Sequence, residues 1–314
     1  MARALVPAVA VLVLAAACQP VSQSPKTGGS PRASASHSAT PSPTPSPTPA
    51  PKHVFVIVLE NTSYQRALAQ PYIGSLASQY AIASNYHAIG HPSLPNYLAL
   101  TAGSTFGIAD DGYHPLPATG VAKQLTDAGI SWKGYFEGFA GNCFNSPYPY
   151  ALKHNPFAYY GGRCPANVVP MTQLAADLSG DTPQLAWITP GLCNDGHDCS
   201  TLTTDNWLSQ VVPQITGSSA WQQNGVLFIT WDEGTDSNNQ VALLTIAPRL
   251  HGEITQPLDH YSLLATIEDA LGVPRLGLAK QATSLNADLN SGTIALAAPA
   301  FVIAGRLLGL VGLR

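Results

Sequence analysis

Two apolar runs without alternation constrain this chain more than anything else in it. Residues Val54 to Leu59 (VFVIVL) and Val226 to Trp231 (VLFITW) carry apolar or β-branched side chains at successive positions. A strand of that kind has to be covered on both faces. Each run stops abruptly on polar residues, the first on Glu60 and Asn61, the second on Asp232, Glu233 and Gly234. Strand-like runs over residues 54–59, 131–137, 184–189, 226–231 and 241–247 alternate with helical patterns over 66–80, 119–128, 203–212 and 259–271. The alternation predicts an α/β domain over residues 53–285 with a mostly parallel central sheet and helices on both faces. In open sheets of this class ligands sit beyond the carboxyl ends of the strands, where both acidic pairs fall.

A hydroxyl nucleophile is offered nearby. In GHPSLPNYLALTAG, Gly90 to Gly103, Ser93 stands just ahead of Pro95, and the run Tyr97, Leu98, Leu100 continues a helix to Gly103 as its stop. A serine at a helix mouth faces unpaired backbone N–H groups and the positive end of the helix dipole, a setting that favours phosphate. The bland alternative is an N-cap. Glu60, Asn61, Asp232 and Glu233 supply hard oxygen ligands, and Ser93 another, so a divalent cation of unspecified identity is expected among them. Buried adjacent carboxylates otherwise repel one another. In LDHYSLLATIEDALG, Leu258 to Gly272, Asp259 is the expected N-cap and His260 lies in the first helical turn. His87, His114, His154 and His251 read as solvated or locally bonded side chains. His197 differs, because NDGHD sets it between Asp195 and Asp198 inside a short Cys193 to Cys199 bracket.

These stretches, with LCNDGHD from Leu192 to Asp198, resemble the bacterial phosphoesterase family of secreted acid phosphatases and phospholipases C, part of the alkaline phosphatase superfamily. The resemblance runs from His53 to Pro274 with the motifs in the family's order, and is strongest to its short, mycobacterial-type acid phosphatases. It implies an alkaline-phosphatase-like core, Ser93 as the nucleophile that becomes phosphorylated, and Glu60, Asn61, Ser93, Asp232 and Glu233 as metal ligands. It also implies His91, Asn96 and Asp195 as substrate contacts, with His197 and His260 as further candidates for protonating the leaving group. The expected function is hydrolysis of phosphate monoesters on small-molecule or lipid substrates through a phosphoserine. A phospholipase C or other phosphodiesterase is the enzymatic alternative. A catalytically inactive surface binding protein is the other, which the intact Ser93 and its acidic neighbours oppose.

The ends of the chain read differently. Residues 1–18 form an apolar leader after Arg3, ending at Cys18 in an approximate lipobox, and predict export with a possible lipid anchor. Residues 19–52 are rich in Pro, Ser and Thr, including PSPTPSPTPAP, and read as a disordered tether reaching about 3 Å per residue. Residues 286–314 form an apolar tail, a candidate membrane helix interrupted by Pro299 and glycines, or a loosely packed terminal helix. An extracellular or cell-surface location follows as an expectation. Of the three connectivities that four cysteines allow, local pairing of Cys143 with Cys164 and Cys193 with Cys199 is expected. The segment from Ala140 to Pro170 reads equally as a lid over the site or as a surface loop. A net charge of −4 with 14 Lys plus Arg offers no footprint for nucleic acid.

Overall fold

The computed structural model describes residues 52–292. The leader, Cys18, almost all of the tether and the tail beyond residue 292 lie outside them. Ten strands form in chain order: β1 His53–Leu59, β2 Ala81–Ala83, β3 Tyr86–His87, β4 Trp132–Phe136, β5 Val168–Pro170, β6 Leu185–Thr189, β7 Gly225–Trp231, β8 Leu243–Ile246, β9 Gly252–Ile254 and β10 Leu258–Asp259. Eight of them make one sheet in the order β5-β4-β6-β1-β7-β8-β2-β9, while β3 and β10 pair separately. From β5 to β7 every pairing is parallel. The strand β8 then runs antiparallel to both β7 and β2. The expected α/β architecture is therefore present, with an antiparallel step at one side.

Every residue of β7, and of β1 after His53, is buried, so both faces of the sheet centre are covered, as unalternating strands require. The helices are α1 Tyr64–Leu68, α2 Pro71–Gln79, α3 Ser93–Ala102, α4 Val121–Asp127, α5 Leu174–Ser179, α6 Thr201–Thr216, α7 Ser219–Gln222, α8 His260–Leu271 and α9 Asn286–Ser291. Local chemistry sets their ends. Asp259 accepts from the backbone N–H of Ser262 while the Ser262 hydroxyl accepts from that of Asp259, a capping box that starts α8. Gly272 ends α8 in the left-handed region at φ 70°. Gly103 ends α3 the same way at φ 66°, and there its backbone lies against Leu276 and Gly277, with the Leu278 N–H donating to Gly103 O at 2.8 Å.

Two sequence expectations change. The single helix expected over residues 66–80 is split into α1 and α2, because Pro71 holds Gln70 extended at φ −80°, ψ 141° and starts a new helix. The folded unit also runs past residue 285, since α9 packs on α8 and buries Leu289. Both expected disulfides form, Cys143–Cys164 and Cys193–Cys199. Within the segment 140–170, residues 154–160 pack inward with Phe157, Ala158, Tyr159 and Tyr160 buried, while most of 140–148 and all of 161–163 are exposed. Among the described residues no helix is long and apolar enough to cross a membrane.

Candidate active site

Parallel register delivers the site. Leu59 pairs with Trp231 at the ends of β1 and β7, so Glu60 and Asp232 leave the sheet side by side. The Asp232 N–H donates to Leu59 O at 2.9 Å, and the Glu60 N–H donates to Asp195 O at 2.9 Å, which draws in the loop after β6. That loop is held by Glu137 at the end of β4, whose Oε2 accepts from Gly191 N at 2.8 Å and whose Oε1 accepts from Asn194 Nδ2 at 2.9 Å.

Ser93 is the first residue of α3 and 1% exposed. It caps nothing: Pro92 holds the N-cap position, with no side-chain capping bond. Instead the Ser93 hydroxyl donates to Glu60 Oε2 at 3.0 Å. The other Glu60 oxygen accepts from the Tyr97 hydroxyl at 2.7 Å, one turn along the same helix. Asp232 Oδ1 accepts from the Glu233 N–H at 2.7 Å and from the Asn61 N–H at 3.4 Å, whereas Oδ2 is buried without a partner. Asn61 itself adopts a left-handed φ of 43°, a conformation asparagine tolerates better than most residues.

Charge is concentrated here. Burial, then the neighbouring Asp232 and Asp195, push the Glu60 carboxyl well above its ordinary range. Burial and Glu233 do the same to Asp232, and burial lifts Asp195 to about 7. Among the described residues no group of three or more His, Cys, Asp and Glu side chains forms a ready metal cage. The donor set that converges is smaller and mixed: Glu60, Asp232, the Ser93 hydroxyl and the adjoining Asn61. The orphaned Asp232 Oδ2 and the mutual repulsion of buried carboxylates fit a hard cation bound among oxygens.

The histidines distribute differently from the sequence reading. His91 Nδ1 meets Glu233 Oε2 at 2.5 Å, and its side chain is half exposed. His197 lies at the site edge, its Nδ1 against Asp198 Oδ1 at 2.7 Å and its Nε2 3.2 Å from Lys153 Nζ. His260, expected to face the substrate, does not: it is fully buried, with Nδ1 2.7 Å from the Tyr86 hydroxyl and Nε2 2.6 Å from the carbonyl oxygen of Asp232. Both ring nitrogens are thus engaged by protein, and burial depresses its pKa to about 4, so the neutral ring braces the strand end that carries Asp232. Asn96, also expected at the substrate, instead ties the loop before α3. Its Oδ1 accepts from Ile89 N and Gly90 N at 2.9 and 3.1 Å, and its Nδ2 donates to Gly90 O and Pro92 O at 2.8 and 3.2 Å.

The correction in the other direction is His154, read as a peripheral loop histidine and found 1% exposed between two site carboxylates. Its Nε2 is 3.2 Å from Glu60 Oε1 and its Nδ1 3.3 Å from Asp195 Oδ2, while its ring stacks on Tyr97 at 5.4 Å. Neither His154 Nε2 nor Asp195 Oδ2 has a hydrogen-bond partner. Burial holds the ring neutral, far below the usual histidine range. Tyr97, Lys153, His154 and Asp111, which accepts from Leu94 N at 3.0 Å and from Lys153 Nζ at 2.9 Å, are the site residues the sequence reading missed. The available signal was the unusual run Lys153-His154-Asn155-Pro156 inside the Cys143–Cys164 bracket.

The model of the Phosphoesterase family matches residues 64–274. The chain belongs to that family. The match takes in Ser93, Lys153, Asp195 and Asp232 but begins after Glu60 and Asn61. A probable acid phosphatase of Kluyveromyces lactis is 31% identical over 72% of this chain and 59% of its own length. An acid phosphatase of Aspergillus fumigatus is 31% identical over 71% of this chain and 55% of its own. The chain thus spans less than three fifths of these fungal relatives. A phosphatidylinositol-3-phosphatase of Mycobacterium tuberculosis is 31% identical over 73% of this chain and 80% of its own length. Among solved structures, an alkaline phosphatase superfamily protein from Vibrio parahaemolyticus shares the fold with a TM-score of 0.52 at 12% identity, over 72% of this chain and 69% of that one. A lipoteichoic acid synthase from Listeria monocytogenes does so at 0.54 and 10% identity, over 77% and 76%. The expected alkaline-phosphatase-like core is therefore present.

Proposed function

We propose that this protein is an exported phosphatase that hydrolyses phosphate monoesters through a phosphoserine on Ser93. One observation carries the reading: a buried serine opens α3 and turns its hydroxyl onto Glu60 at 3.0 Å instead of capping the helix. The family supports phosphoester chemistry, and the relatives named acid phosphatase and phosphatidylinositol-3-phosphatase support monoesters over diesters. The apolar leader and the two disulfides support export into an oxidising compartment.

In this reading Glu60, Asn61, Ser93 and Asp232, with Glu233 beside them, hold a divalent cation. Such an ion, when bound, lowers the pKa of the serine hydroxyl and offsets charge on the phosphoryl oxygens. The chain's own groups do the rest. Glu60 Oε2 accepts the hydrogen bond from Ser93 and aims the oxygen, while Tyr97 fixes the other lobe of that carboxylate. The first turn of α3 presents its dipole to the phosphoryl group. His91 is the group suited to protonating the leaving oxygen, since its Nδ1 is secured by Glu233 and its side chain is half exposed; it would do so in the form that carries a proton on both ring nitrogens. Water then attacks the phosphorus, the P–O bond to Ser93 breaks, inorganic phosphate leaves, and a proton from that water ends on the Ser93 oxygen. Ser93→Ala should abolish release of phosphate from p-nitrophenyl phosphate without lowering the unfolding midpoint by more than a few degrees. Acid quenching of the wild type during turnover should trap phosphate on the Ser93 peptide. Turnover by the Ser93→Ala protein, or phosphate on another residue, would refute the assignment.

A further inference from the structure

A site lined by Glu60, Asp195, Asp232 and Glu233 has to bind a dianion, and one lysine stands among these acids. Lys153 lies in the short 3-10 turn Leu152–His154, directly before His154, whose ring stands between Glu60 and Asp195. Its ammonium is held from two sides. Nζ donates to Asp111 Oδ2 at 2.9 Å, and it stands 3.2 Å from His197 Nε2. With Nδ1–H of His197 donating to Asp198 at 2.7 Å, Nε2 carries the lone pair and accepts from the lysine. An ammonium has three N–H groups, so these two acceptors leave one. The same Asp111 carboxylate reaches back through Oδ1, which accepts from the Leu94 N–H at 3.0 Å. Leu94 follows Ser93, so a single carboxylate links the first turn of the nucleophile helix to the lysine.

We propose that Lys153 is the phosphate-gripping residue of the site, its remaining N–H donating to a phosphoryl oxygen while Asp111 and His197 hold the ammonium beside Ser93. The inference rests on the phosphatase reading and adds to it the group that offsets the charge of the incoming ester. It also gives His197 a definite task. A neutral imidazole whose Nε2 lone pair is taken by Lys153 has no proton to give a leaving group; it fixes the direction of the ammonium.

The test measures inorganic phosphate binding to the full chain, as an inhibition constant against p-nitrophenyl phosphate and as a rise in unfolding midpoint. Lys153→Met should weaken phosphate by about tenfold or more, the scale of one charge-assisted hydrogen bond, and raise KM along with it. Lys153→Arg should recover part of the loss. Lys153→Met leaves the Asp111 carboxylate without its partner, so the double variant Asp111→Asn with Lys153→Met serves where the single one does not fold, and the same loss is expected. Phosphate binding as in the wild type, in either variant, overturns the inference. So does a lower kcat and midpoint with an unchanged phosphate constant, the signature of a structural lysine. The underlying reading fails separately: a wild-type protein that binds phosphate through Lys153 but hydrolyses no monoester keeps this inference and sinks the phosphatase. A wild type that neither binds nor hydrolyses sinks both.

Discussion

The two disulfides make opposite demands on the molecule, and opening each in turn gives the sharpest test of how the site is held. Cys193 and Cys199 are 6 residues apart, and Cys143 and Cys164 are 21 apart. Loop-closure entropy grows with the logarithm of that separation, which gives about 2 kcal/mol at 25 °C for the short loop and about 3 kcal/mol for the long one. In a domain of this size those losses lower the unfolding midpoint by roughly 4–8 °C and 6–12 °C. Activity should follow the reverse order. The long loop has its own apolar anchor in Phe157, Ala158, Tyr159 and Tyr160, so Lys153 and His154 stay placed after the bridge is opened. The short loop buries little besides Asp195, and beyond the Glu137 bonds to Gly191 and Asn194 its bridge is the covalent restraint on the turn that carries His197 and Asp198. Replacing Cys193 and Cys199 together by alanine should therefore cut kcat/KM at least tenfold, while replacing Cys143 and Cys164 should cost less than threefold, by the factor-of-ten arithmetic of a 1.4 kcal/mol change. Urea unfolding followed by circular dichroism reports the first quantity, and p-nitrophenyl phosphate turnover under folding conditions reports the second. If the short-loop variant turns over normally, the restraint argument fails. If it is the less stable of the two, the entropy argument fails.

Three further outcomes follow from single positions. Gly103→Ala should destabilise the protein by about 3 kcal/mol or more, because φ is 66° and a Cβ would stand 2.5 Å from the Leu276 carbonyl oxygen; chemical unfolding checks it. Burial lifts the Glu268 carboxyl from 4.5 to about 8. An acid whose folded pKa is raised favours the folded state most below its ordinary value and loses that advantage as pH climbs from about 4.5 to about 8. Glu268→Gln should therefore gain midpoint relative to wild type over that window, and a parallel pair of curves would refute it. His260→Gln should lower the rates on alkyl and nitrophenyl phosphates equally, since the ring contacts Tyr86 and Asp232 O; a selective loss on alkyl phosphates would return it to proton transfer.

The parts of this site visible in the sequence are those written in local pattern. An unalternating apolar run followed by an acid fixes both the strand and the edge where the acid lands, which is why Glu60 and Asp232 could be placed together. Ser93 was legible because proline and glycine punctuate its helix. The rest depended on which long loop returns to the sheet end, and loops carry no periodicity from which a return path is read. His154 and Lys153 stand in such a loop, Asp111 in another, and packing such as that of Phe157 and Tyr160 brings the former home. His260 and Asn96 erred for a related reason: their neighbours in sequence are site residues, but both side chains are consumed by backbone groups. Proximity along the chain indicated the neighbourhood without indicating the direction a side chain takes.

The helix that opens on Ser93 is fastened at each extremity. Asn96 and Asp111 secure its beginning, and at its end Gly103 lies backbone to backbone against Gly277. A rod clamped in this way cannot travel, so on the proposed function the Ser93 oxygen would be a fixed point to which the ester is carried. On the same proposal, freedom to accommodate different alcohols would belong to side chains outside this clamp, such as the exposed and mutually packed Tyr113 and Phe144. Substrate range can drift there over generations while the hydrolytic centre stays where the sheet put it.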